Sequence, residues 1–142
     1  MFFKTQKKKE KDKFKSIDIA VCSLLIHTAK TDEKFEKQEK KLIEEYLLTL
    51  GKNKEYINEL FQYCEIKEEN SVEILEMTKE IKKLNYQDRL EIVETMLKII
   101  YSDQHLCNYE DRLIRKVSGL IYIESKDLGK IKIKIKNDLH SK

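Results

Sequence analysis

Apolar residues recur along this chain every three or four positions, the spacing of one face of an α-helix. Ile17, Ala20, Val21, Leu24, Leu25 and Thr28 form the first such stripe, opening after Ser16, a residue suited to a helix N-cap. A second helix is predicted from about Glu36 to Leu50, with Leu42, Ile43, Tyr46, Leu47 and Leu50 inward and Gly51 as a left-handed stop. A third, from Asn53 to about Cys64, places Tyr56, Ile57, Leu60 and Phe61 inward. The polar stretch "EIKEEN" follows. Asn70 and Glu73 then make a capping-box-like start for a fourth helix striped by Ile74, Met77, Ile81 and Leu84. A fifth opens after Asn85 on Leu90, Val93, Leu97 and Ile100. A sixth opens near Asn108, with Asp111 three on, and carries Leu113, Ile114, Val117 and Leu120. Ser125 caps a seventh.

The seventh segment carries two periods at once. "KIKIKIK" from Lys130 alternates with period two, the mark of a strand, while Leu128, Ile131, Ile135 and Leu139 share one helical face. A lone strand leaves its backbone groups unpaired, so residues 130–136 are assigned to a helix.

The pattern also repeats. "TDEKFEKQEKKLI" at Thr31–Ile43 and "SDQHLCNYEDRLI" at Ser102–Ile114 share an Asp, an apolar residue three on, a Glu seven on and a Leu-Ile pair at ten and eleven. A shift of 71 residues lays the first three helices on the last three: Val21 falls on Ile92, Cys22 on Val93, Leu25 on Met96, Ile57 on Leu128 and Leu60 on Ile131. The expected fold is therefore all-α, a single domain of about seven helices. Two three-helix halves, residues 17–64 and 86–139, would be related by a pseudo-twofold, with the fourth helix as bridge.

Composition agrees. The 142 residues are 40% hydrophobic and 39% charged, with no Pro and three Gly, too few turn-formers for many hairpins. No apolar run approaches the ~20 residues of a membrane span, and no secretory signal follows Met1. Cys22, Cys64 and Cys107 are widely spaced, and reduced thiols in a cytoplasmic protein are expected. Net charge is +3, but residues 1–15 hold seven lysines against Glu10 and Asp12. That segment reads as a basic, flexible leader before a domain spanning 16–142. Its lysines and Phe residues make an anionic membrane surface its candidate partner, at the inner membrane face, with nucleic acid the weaker candidate.

At this point the chain resembles a known family. The run "AKTDEKFEKQEKKLIEEYLLTLG" and the run "QDRLEIVETMLKIIYSDQHLCNYEDRLIRKVSGLI" are similar to the duplicated helix, A-x-x-D-G-x-Φ-x-x-x-E, helix pattern of TerB-like tellurite-resistance domains, in particular the stand-alone bacterial members. The resemblance spans roughly Ile17 to Ile135. It implies an all-helical domain, acidic residues proposed to bind a divalent metal, no known catalysis and a role in metal or envelope stress. Related domains occur in membrane-anchored DnaJ-type co-chaperones. The family's Gly after each Asp is replaced here by Glu33 and Gln104. If that Gly supplies a left-handed turn that frees carbonyls for a metal, these residues disfavour it.

The candidate metal ligands are Asp32 and Glu39 in the first copy and Asp103 and Glu110 in the second. Hard cations such as Ca²⁺ or Mg²⁺ take six or more oxygens, and paired carboxylates anchor such a shell. The plainer alternative is that the Glu residues answer helix dipoles and the Asp residues cap helices. His105 and Cys107 suit zinc chemically, but the first copy has Lys34 and Glu36 at those places, so Ca²⁺ or Mg²⁺ is favoured. His27, at the end of the first helix, reads as structural. No G-x-S-x-G, H-E-x-x-H, Gly-rich phosphate loop or Glu-x-x-His occurs, so no enzymatic role is expected. Two functional readings stand: a weak cation-binding accessory or scaffold domain, and a ligand-free helical interaction module with a protein partner the sequence does not name.

Overall fold

The computed structural model describes residues 13–30, 37–69, 74–102 and 108–140. These form seven α-helices and, among the described residues, no strand: α1 (Ser16–Lys30), α2 (Lys37–Thr49), α3 (Lys54–Glu69), α4 (Ile74–Ile81), α5 (Tyr86–Tyr101), α6 (Asn108–Leu120) and α7 (Ser125–His140). The all-α fold expected from the periodicity is the one observed. The proposed cap at Asn70 and Glu73 lies outside the described residues.

α1 forms the centre. It is buried nearly all round, with Cys22, Leu24, Leu25 and Ile26 fully enclosed, as expected of a helix with apolar residues on every side. α3 and α4 pack on it most extensively, and α2 and α5 close the remaining sides. In the second half α5 takes the equivalent place, packed by α7 and α6. α4 bridges the halves by touching both α1 and α6.

The repeat extends to the backbone. Gly51, after α2, has φ +85°, and Tyr122, its counterpart after α6, has φ +58°. These are left-handed helix stops. At the second, Ile123 N–H donates to Ser118 C=O (2.8 Å) and Tyr122 N–H to Gly119 C=O (3.3 Å), a Schellman closure. At the first, Gly51 N–H donates to Leu48 C=O at 3.0 Å. Asn53 and Asn85 cap α3 and α5, their side-chain oxygens accepting from Tyr56 N–H (2.7 Å) and Asp88 N–H (2.9 Å).

"KIKIKIK" is helical, and burial resolves its two periods. Ile135 is 3% exposed and Ile133 62% exposed, although a strand would set both on one face. One core expectation is corrected. Leu50 is 39% exposed rather than inward, because α2 ends at Thr49 and the turn into Gly51 carries Leu50 outward.

Cys22 and Cys64 are reduced and buried between α1 and α3. The Cys64 thiol donates to Ile19 C=O at 3.7 Å. The neighbouring Cys64 and burial push the Cys22 thiol well up, while Cys22 pulls Cys64 down. The matching places in the second half hold the buried apolar pair Val93 and Ile135, so this contact belongs to the core. Before α1, Phe14 is also buried, edge-on to Tyr56 (centroids 5.5 Å) and beside Tyr63 (5.4 Å), while Lys13 pairs with Glu59 of α3.

Candidate functional site

The two acidic corners lie where helix one meets helix two in each half. The first joins α1 to α2, and the second joins α5 to α6. Asp32 and Asp103 fall on residues 31–36 and 103–107, outside the described residues, as do His105 and Cys107. Glu39 and Glu110 both sit in the first turn of the second helix of their half, as the spacing predicts. The side chain of Glu110 is likewise outside the described residues. Glu39 alone of the four is fully placed.

Glu39 is 4% exposed. Lys40, its neighbour, lies 4.9 Å from the ring centroid of Phe61 and covers that side of the α2–α3 contact. A first-turn glutamate also answers the α2 macrodipole, an interaction that contributes about 0.3–1 kcal/mol at the surface and up to about 2 kcal/mol where partly buried. Enclosing a carboxylate is costly unless hydrogen bonds, a cation or a proton compensate it. His27, at the end of α1, is half-buried. Among the described residues no group of three His, Cys, Asp or Glu side chains is arranged to hold a metal ion.

A second polar feature escaped the sequence reading. In each half a tyrosine hydroxyl donates to an aspartate across the first and third helices: Tyr56 to Asp18 at 2.7 Å, and Tyr86 to Asp127 at 2.6 Å. Donor and acceptor are exchanged between halves, since Asp127 occupies the place of Tyr56. Asp18, 5% exposed, also meets Lys52 Nζ at 3.3 Å. At its matching place Arg89 donates to the carbonyls of Ile121 (2.7 Å) and Leu84 (3.1 Å). Position 18 and its counterpart 89 thus each tie the start of a first helix to the corner between the second and third. Tyr86 also accepts from Glu124 N–H at 3.1 Å. These contacts tie the third helix of each half to its first.

A duplicated helical domain with acidic corners is the class this architecture defines. The family model described as tellurite resistance protein TerB matches residues 18–133, and the chain belongs to that family. No curated protein and no solved structure gives a match.

Proposed function

We propose that this TerB domain is a non-catalytic accessory module of a bacterial metal or envelope stress response, binding a divalent cation weakly at its acidic corners. The observation that carries the reading is the burial of Glu39 in the first turn of α2, seven residues past Asp32 in the duplicated pattern. A buried carboxylate at the mouth of a helix–loop–helix corner has the donor chemistry a hard cation selects: anionic oxygen, with water completing the shell. Glu39 with Asp32 would hold the cation in the first half, and Glu110 with Asp103 in the second. Bound there, the ion would neutralise the carboxylates and draw the two helices of a corner together. Weak affinity suits the corner, because Glu33 and Gln104 resist the left-handed turn that glycine permits.

The test is a titration with Ca²⁺ or Mg²⁺ followed through backbone amide resonances. Shifts confined to residues around Asp32, Glu39, Asp103 and Glu110, saturating near millimolar metal, are expected. A spectrum unchanged at that concentration sinks the metal reading and leaves the ligand-free interaction module.

A further inference from the structure

α7 presents lysine to solvent where its counterpart presents glutamate. α3 and α7 hold matching places, each packed on the first helix of its own half. Yet α3 carries five glutamates against two lysines, and α7 five lysines against two aspartates. Packing tolerates either sign, so the fold does not explain the basic face. Lys126, Lys130 and Lys136 are exposed on α7 and, among the described residues, have no ion-pair partner. Ile133 lies on the same stripe, three residues from Lys130 and from Lys136, and is 62% exposed. Lys134 stands on the flank and is engaged by Glu94 at 2.8 Å. Asp127 is turned to Tyr86, and Asp138, two residues past Lys136, falls well off the stripe.

We propose that this outer face of α7 seats on a bilayer surface rich in anionic lipid. Lysine stems lie along the headgroup layer with their ammonium groups among the phosphates, and Ile133 enters the acyl boundary between them. The composition favours lipid over nucleic acid. α7 has no arginine to fork onto phosphate or base edges, and no Phe, Tyr or Trp to stack a base. The proposed surface uses none of Asp32, Glu39, Asp103 and Glu110 and no residue of 1–12.

Co-sedimentation of the full chain with phosphatidylcholine vesicles containing about one-third phosphatidylglycerol tests this, since each contacting lysine strengthens binding about fivefold. Binding is expected at low salt, falling as salt rises, and is expected to be absent on pure phosphatidylcholine. Changing Lys126, Lys130 and Lys136 together to Gln lowers the partition coefficient about a hundredfold. Ile133→Ser lowers it severalfold with the charge intact. The single variants Lys130→Gln and Ile133→Ser carry the test should the triple variant lose its helical circular dichroism. A wild-type chain that stays in the supernatant overturns the proposal. So does a triple variant that sediments like wild type while deletion of residues 1–12 abolishes binding, or single-stranded RNA that strips the wild-type chain from the vesicles.

Discussion

Tyr122 holds a backbone conformation that glycine holds in the other half of the molecule. Its side chain is 67% exposed and its one described ring contact is Lys82, 5.8 Å from the centroid. Little packing would be lost on truncation, and the left-handed strain of a non-glycine residue would be relieved. Tyr122→Gly should therefore stabilise the protein by about 0.5–1 kcal/mol, and Gly51→Ala should destabilise it by about 1 kcal/mol or more. Thermal midpoints of the two variants check this, and equal shifts of the same sign would contradict it. Tyr56→Phe removes a hydrogen bond to the buried Asp18 and should cost about 1.5–3 kcal/mol in denaturant unfolding at neutral pH. That cost depends on pH. Burial and then the Asp18 bond push the Tyr56 hydroxyl from 10.0 up to about 12. The folded state keeps this proton more tightly, so the stabilisation is complete below pH 10 and fades as pH rises through about 12. Wild type should lose stability steeply across that window, and the gap between it and Tyr56→Phe should close. Burial also raises Tyr46, with Glu91 and Asp88 adding to the effect, so the alkaline fall persists in part in the variant.

The helices themselves were legible because burial requires a period, and the period is written in Leu24, Leu25, Val93, Met96 and Val117. The corner at Gly51 was legible because glycine has a conformational reason to be there. Its counterpart was hidden by Tyr122, which adopts the same backbone without the residue that signals it. The tyrosine–aspartate contacts were hidden for a related reason: the halves exchange donor and acceptor, so the 71-residue shift sets Tyr56 on Asp127 and erases the likeness. Burial of Glu39 could not be read either, since a first-turn glutamate has the same local pattern whether it faces water or the domain. α7 offers the sharpest test at this scale. Ile135→Ala should cost about 2–5 kcal/mol and Ile133→Ala within about 0.5 kcal/mol, because only the first leaves a cavity. Equal costs would mean that the alternating pattern, not the helical one, decides which side chains pack.

Across the molecule, duplication separates what the fold needs from what one half has changed. Apolar core positions correspond, as with Cys22 and Cys64 against Val93 and Ile135, so they answer to packing. The charges on α3 and α7 do not correspond, so core packing does not dictate their sign. The acidic corners correspond in sequence, and Glu39, in the first helical turn after one of them, is buried. If a cation stabilises that corner, ligand and stability are linked. At tenfold excess over its dissociation constant a ligand specific to the folded state adds about 1.4 kcal/mol. The most direct measurement is the thermal midpoint of wild type and Glu39→Gln, with and without Ca²⁺ at about 10 mM, a concentration above the millimolar affinities expected of a weak oxygen site. A rise of several degrees in wild type that disappears in Glu39→Gln is the predicted result. Equal shifts in both proteins, or none in either, would contradict the account.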